Sequence, residues 1–217
     1  MPKTAILIGA TGLTGSQLLK QLLNDVRYST VKVLHRRSAG TEHPKLDEHI
    51  INFDAPEEWK DLVRGDHLFS ALGTTLRKAG SEDEQYKIDN TYQYEVAKAA
   101  AENGVKRYAL VSTVGAKANS NNFYLRMKGE LDESIEHLGF EYTAIFRPSF
   151  LDGDRKEFRL GEKIGIIFAK LLSWIPGIRK YRPIPAETVA RAMISDLNNE
   201  QNLPQNIYEM DEIFKLG

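Results

Sequence analysis

Thr4-Ala5-Ile6-Leu7-Ile8-Gly9-Ala10-Thr11-Gly12-Leu13-Thr14-Gly15-Ser16 is the stretch from which the rest of the chain is read. The apolar run Ala5 to Ile8 predicts a strand buried on both faces. It ends in a glycine turn, and the turn opens directly into a helical pattern. From Ser16 to Asp25 that pattern places Leu18, Leu19, Leu22 and Leu23 on one apolar stripe. Gly9 suits the backbone of a tight turn. Gly12 leaves room for a phosphate against the main chain, and Gly15 lets the helix pack closely on the strand. The free N–H groups and the positive dipole end at the helix start then favour an anion. Gly9, Thr11, Gly12, Leu13, Thr14 and Gly15 are therefore candidate contacts to the phosphates of a dinucleotide.

The bulk of the chain narrows the classes around this start. Its 217 residues are enough for one well-buried α/β domain and short of two comfortable ones. With 29 Lys and Arg against 30 Asp and Glu, the net charge of -1 gives no case for nucleic-acid binding. The absence of cysteine excludes disulfides, thiolate metal sites and cysteine nucleophiles. The histidines, at 35, 43, 49, 67 and 137, show no metal-ligand spacing, so no metal is expected. The first residues run straight into a strand without a signal-peptide pattern, and no apolar run has the length of a membrane span. The expectation is a soluble, cytoplasmic protein without stable membrane insertion.

Read in order, strands and helices alternate. Val31 to Leu34 predicts a second strand, ending in His35-Arg36-Arg37-Ser38. In a dinucleotide fold this strand end reads the adenosine ribose. An acidic residue there would bond both hydroxyls of NAD, whereas arginine would pair with the 2′-phosphate of NADP. No Asp or Glu lies between Val31 and Gly40, and Arg36 and Arg37 are both present, so NADPH is expected in preference to NADH. His49 to Asp54 predicts a third strand; Asp54 at its exit could accept from the adenine amino group, and a turn-capping role explains it equally well. A short helix over 56–63 and a fourth strand from His67 follow. The latter runs into Leu72-Gly73-Thr74, whose small residues let the backbone lie against a ribose or pyrophosphate. A polar loop over 76–82 and a long helix from Glu84 to Asn103 come next. Then follow a fifth strand ending in Ser112-Thr113, a helix from Asn122 to Leu138, and a sixth strand, Tyr142 to Phe146, leading to Arg147-Pro148.

This is the pattern of a doubly wound parallel sheet with helices on both faces. We read one domain, with a core over 1–150 and a small substrate-side cap over 151–217. In the cap, 164–175 reads as an amphipathic helix, either a lid over the pocket or, with Trp174 and nearby Lys170, Arg179 and Lys180, a face that touches a membrane surface or a second subunit; the lid is preferred. Pro185 to Asn198 reads as a last helix, and Gln205 to Met210 as a final strand. The helices over 84–103 and 122–138 could pair between subunits, so monomer and homodimer both remain open.

Ser112, Tyr124 and Lys128 carry the chemistry. Ser112 ends the fifth strand; Tyr124 and Lys128 are spaced i, i+4, which places them on one helix face. Ligands of open α/β sheets bind beyond the carboxyl ends of the strands. A lysine ammonium beside Tyr124 favours its phenolate, so the tyrosine can exchange a proton with a substrate hydroxyl or carbonyl. Lys128 could also hold the nicotinamide ribose, and Ser112 could orient the substrate oxygen. Asn90 supports the lysine through a water or is a surface residue. Arg147 is a catalytic-side residue or a structural ion-pair partner.

Gly9-x-x-Gly12-x-x-Gly15, Ser112 and Tyr124-x-x-x-Lys128, in this order, resemble the short-chain dehydrogenase/reductase superfamily in its extended or atypical branch. Leu72-Gly73-Thr74-Thr75-Leu76-Arg77-Lys78-Ala79-Gly80 is similar to a signature of the oxidoreductases related to the human Tat-interacting protein. The run from Ser120 to Glu130 and Phe146-Arg147-Pro148 point the same way. The resemblance implies a Rossmann fold, NADP(H) as cofactor, the Ser/Tyr/Lys roles given above, and a segment at Arg147 and Pro148 that passes near the nicotinamide. Where many relatives have a second serine, this chain has Thr113. Two functions stay in view: an NADP-dependent oxidoreductase acting on a small carbonyl or alcohol, and an NADP(H)-binding regulatory or scaffold protein with little or no turnover.

Overall fold

Strand β1 (Lys3–Ile8) is flanked on both sides by parallel partners, β2 (Tyr28–His35) and β4 (His67–Ser70), in a computed structural model that describes residues 2–149, 151–152, 182–200 and 204–216. Its apolar run is buried on both faces, as expected. Ile6 and Ile8 enter one core layer and Ala5 and Leu7 the other, the two-residue period of a strand. The full sheet runs β3-β2-β1-β4-β5-β6-β9, all parallel, with β3 (Leu46–Ile50), β5 (Arg107–Val111), β6 (Tyr142–Arg147) and β9 (Gln205–Glu209). The chain turns outward in opposite directions from β1 and β4, so a crevice opens at their carboxyl ends.

Helix α1 (Leu13–Asn24) covers one face with its leucine stripe. The other face is covered by α2 (Pro56–Trp59), by a long helix that begins as α4 (Glu82–Tyr86) and continues as α5 (Tyr92–Glu102), and by α6 (Phe123–Glu136). Gly104 and Gly139 lie beyond α5 and α6 at φ +81° and +80°, conformations that a side chain would resist.

Three elements differ from the sequence reading. The third strand lies at 46–50 rather than 49–54. It is an edge strand with one neighbour, so it needs no continuous apolar run, and Phe53 instead packs beside Trp59 and Tyr92. The loop expected at 76–82 contains a helical turn, α3 (Leu76–Ala79), because Thr75 caps its start and Gly80 ends it at φ +90°. The long helix starts at Glu82, where Ser81 accepts the Glu84 N–H, and it is interrupted by a π-helical turn over Lys87–Thr91. That wider turn buries three consecutive residues, Ile88, Asp89 and Asn90, which a regular α-helix would distribute around its surface.

The described part of the C-terminal tail builds the body of the molecule. A two-residue ladder pairs β7 (Leu151–Asp152) with β8 (Ile184–Pro185). Helix α7 (Ala186–Leu197) packs beside α1, with Gln21 donating to the Glu187 carbonyl at 3.0 Å, and β9 becomes the seventh strand. The terminal α8 (Ile213–Leu216) joins the same core layer. The amphipathic helix expected at 164–175, with Trp174, Lys170, Arg179 and Lys180, lies outside the described residues.

Candidate functional site

The glycine turn is built by backbone proximity. Gly9 sits at φ +82°, and a Cβ there would lie 2.4 Å from the main chain of Ala71 and Leu72 at the exit of β4. A Cβ on Gly15 would lie 1.9 Å from the Gly9 carbonyl oxygen, so only glycine lets the first turn of α1 approach β1 this closely. Gly12 is the N-cap of α1 and leaves its N–H donors unobstructed by a side chain. Thr14 is buried in that first turn, and its hydroxyl has no hydrogen-bond partner among the described residues. A buried hydroxyl left alone is a cost that a bound phosphate or water removes. Glycine cradle and orphaned hydroxyl together fit a pyrophosphate; Thr11 and Leu13 flank them in the turn.

At the carboxyl end of β2, which finishes at His35, Arg36 and Arg37 are exposed and form no ion pair among the described residues. The nearby carboxylate of Glu48 accepts from the Ala39 N–H at 3.0 Å and lies 2.9 Å from His35 Nε2. Ser38, Ala39 and His35 hold it below the usual carboxylate range. Asp54 is reached by Lys87 Nζ at 2.7 Å and by the Tyr92 hydroxyl at 2.8 Å, which lower its carboxyl. It ties the loop after β3 to the π-helical turn, and its remaining lone pairs are its only share in any adenine contact. Beside it, the exit of β4 is held from below: the Thr74 N–H donates to Asp89 at 2.6 Å, and a Cβ on Gly73 would lie 3.8 Å from both Asp89 oxygens. Leu72 packs partly buried against the helical layer.

Lys128 is the centre of the far end. It lies on α6, 3% exposed, and its ammonium donates to the Val111 carbonyl at 3.2 Å. No other hydrogen bond engages it among the described residues, so two N–H donors stay uncommitted. Tyr124, one turn earlier, is 37% exposed. The expected i, i+4 pair therefore has its lysine inside and its tyrosine at the surface of the crevice. Asn90 is buried rather than at the surface; it donates to the Met127 carbonyl at 3.1 Å and pins the π-helical turn to α6.

Ser112 is committed elsewhere. It is 5% exposed, and its hydroxyl donates to Asp132 at 2.9 Å. The same carboxylate oxygen takes two N–H groups of Arg147, each at 3.0 Å, and Arg147 reaches Glu209 on β9 at 3.1 Å. Arg147 is thus a brace between α6 and the last strand, and the Pro148 carbonyl accepts from Val114 at 3.2 Å. The neighbouring Thr113 is half-buried, with no hydrogen bond from its hydroxyl among the described residues.

Asp89, Asp132 and Gly129 escaped the sequence reading. Asp132 could have been found, since it continues the spacing of Tyr124 and Lys128 by four more residues. Gly129 carried a signal as a glycine inside a helix: a Cβ there would lie 2.2 Å from the Lys117 backbone, so it seats the loop after β5 on α6. Asp89 had none, because nothing in the local pattern announces a π-helical turn.

Comparison with known proteins agrees with this geometry. Residues 9–200 match the family model described as NAD(P)H-binding. Protein HTATIP2 of Rattus norvegicus is 33% identical over 99% of this chain and 89% of its own length. Mitochondrial protein FMP52 of Candida albicans is 34% identical over 99% and 98%. Among solved structures, the Bordetella bronchiseptica enzyme WbmH in complex with NAD+ superposes with a TM-score of 0.71 at 17% identity, covering 96% of this chain and 75% of that one. A short-chain dehydrogenase/reductase superfamily protein of Agrobacterium tumefaciens with bound NAD gives 0.71 at 13% identity, covering 95% and 77%. The chain belongs to the NAD(P)H-binding Rossmann family that includes the HTATIP2 and FMP52 proteins.

Proposed function

We propose that the protein is an NADP(H)-dependent oxidoreductase that moves hydride to or from a small carbonyl or alcohol, with Tyr124 as proton donor or acceptor. One observation carries the reading: the Lys128 ammonium is almost wholly buried one turn from Tyr124, with two of its donors unused among the described residues. A buried ammonium is costly unless polar groups reach it, and the hydroxyls of a nicotinamide ribose would be such groups. The nicotinamide, when bound, supplies the hydride; the chain supplies position and proton. Lys128 favours the Tyr124 phenolate by its charge. With Ser112 committed to Asp132, Thr113 is the hydroxyl at the same strand exit that remains to orient the substrate oxygen.

The cradle of Gly9, Gly12 and Gly15 with Thr14 supports pyrophosphate binding. Arg36 and Arg37, without an ion pair among the described residues and beside a Glu48 already engaged, support NADPH over NADH. The protein acts in the cytoplasm on this reading; the mitochondrial label belongs to the FMP52 relatives. Among the described residues no helix is long and apolar enough to cross a membrane.

Calorimetry with NADPH and NADH at fixed salt, followed by a carbonyl screen, tests the proposal. NADPH should bind at least tenfold more tightly, and Tyr124→Phe should abolish turnover while leaving NADPH affinity within twofold. Undiminished turnover in Tyr124→Phe removes the tyrosine from the mechanism. Tight NADPH binding with no turnover across the screen moves the protein to the regulatory reading.

A further inference from the structure

Two carboxylates that belong to no catalytic motif lie near Lys128: Asp132 is one turn further along α6, and Asp89 precedes Asn90, whose side chain donates to the Met127 carbonyl. Asp89, 2% exposed, comes from the π-helical turn, and Asp132, 2% exposed, from α6 itself. Each is anchored by other donors. Asp89 accepts the Thr74 N–H at 2.6 Å; one Asp132 oxygen takes Ser112 and both Arg147 groups. The other Asp132 oxygen is buried without a hydrogen-bond partner among the described residues. Neither carboxylate forms a close ion pair with the ammonium, so both act on it through space, where a low local dielectric strengthens the attraction. Tyr124 lies one turn before the lysine on the same helix, and Arg147 on β6 meets Asp132 and, beyond it, Glu209 on β9.

An ammonium in such a place tends to lose its proton. Burial pushes Lys128 below the ordinary lysine range, and Asp89 and Asp132 push back. Burial likewise raises Asp132, against Ser112, Lys128 and Arg147. A lysine that went neutral would no longer favour the Tyr124 phenolate.

We propose that Asp89 and Asp132 are positioning residues that keep the Lys128 ammonium charged beneath Tyr124 from two different elements, α6 and the π-helical turn. This rests on the reading of Tyr124 and Lys128 as the proton-transfer pair. It also gives the π-helical turn a purpose: the extra width that buries Asp89 and Asn90 together puts a carboxylate inward and a helix clamp beside it.

The test is a pH titration of the full chain labelled with ε-13C lysine, read by NMR. The Lys128 resonance is assigned by its loss in Lys128→Met. Asp89→Asn and Asp132→Asn should each lower the Lys128 midpoint by about one unit, a tenfold change in the charged fraction at a given alkaline pH. Asp132→Glu should restore most of the shift. Circular dichroism checks each fold, and the two sites are read separately, so a poorly folded variant at one leaves the other decisive. A midpoint that stays within about 0.2 units of the unsubstituted protein in any folded Asn variant overturns the proposal. Failure of the carbonyl screen with a displaced midpoint overturns only the oxidoreductase reading, since the titration needs neither cofactor nor turnover.

Discussion

Gly15→Ala puts the reasoning about the glycine turn at risk, because two effects of opposite sign compete. Helix propensity alone says the change should stabilise the first turn of α1 by about 1 kcal/mol. The structure says the new Cβ would lie 1.9 Å from the Gly9 carbonyl oxygen and 2.6 Å from its carbon. The contact falls short of the closest tolerable approach by about 1 Å. The turn cannot retreat, because the Gly9 Cα already presses on the backbone of Ala71 and Leu72, where a Cβ would be 2.4 Å away. The helix start must therefore swing outward. Overpacking of this kind costs about 1–3 kcal/mol, and clashes with backbone on both sides place this one at the upper end, leaving a net loss of about 2 kcal/mol after propensity is counted. For a chain of this size that is a fall in Tm of about 4–8 °C. The N–H donors move with the helix start, so NADPH affinity should fall at least tenfold. Thermal unfolding by circular dichroism and titration of NADPH fluorescence read both effects. A variant with unchanged or raised Tm and affinity within threefold would refute the close-approach argument.

Arg36→Ala combined with Arg37→Ala should weaken NADPH by about 10- to 100-fold, the worth of one or two charge-assisted hydrogen bonds, and leave NADH within about twofold; equal losses mean these arginines do not read the 2′-phosphate. Thr14→Val deletes a buried hydroxyl that has no partner. The cofactor-free protein should hold or gain up to about 1 kcal/mol in urea unfolding while NADPH affinity drops severalfold; a clear loss of stability without cofactor would show that the hydroxyl is already satisfied. His67, buried against the Tyr28 hydroxyl at 2.8 Å, is pushed down to about 3 by burial and by Lys3, Arg107 and Arg27. It is neutral when folded and charged when unfolded below about pH 6.5, so stability is lost as pH falls from there toward about 3. Between pH 7.5 and 5 that loss is about 2 kcal/mol, and His67→Asn should remove most of it in paired urea melts; an unchanged pH slope refutes the assignment.

Much of the frame was legible because its signals are local. A strand buried on both faces must be a continuous apolar run, and Gly15 is demanded by the Gly9 carbonyl six residues earlier, whereas Gly9 answers to Ala71 and Leu72 at the exit of β4. The i, i+4 spacing of Tyr124 and Lys128 survives in α6 because helical geometry is fixed by sequence separation. The edge strand was misplaced by three residues because an edge has little apolar burial to advertise.

What each polar group touches was beyond the sequence, since partners come from elements far apart in the chain. Ser112 was read as facing the substrate, yet its hydroxyl turns inward to Asp132, which Arg147 and Glu209 then tie to β9. Asn90 was read as a support of the lysine through a water or as a surface residue, and it is buried, clamping the Met127 carbonyl. The sequence by itself determined the alternation of strand and helix, the glycine turn and the placement of Tyr124 and Lys128 one turn apart on a helix, all features set by neighbours along the chain. Only the tertiary structure decided that β9 and α7 complete the body, that a π-helical turn buries Asp89, and that Lys128 is buried with its ammonium on the Val111 carbonyl, because those outcomes depend on which distant segments pack together and exclude water.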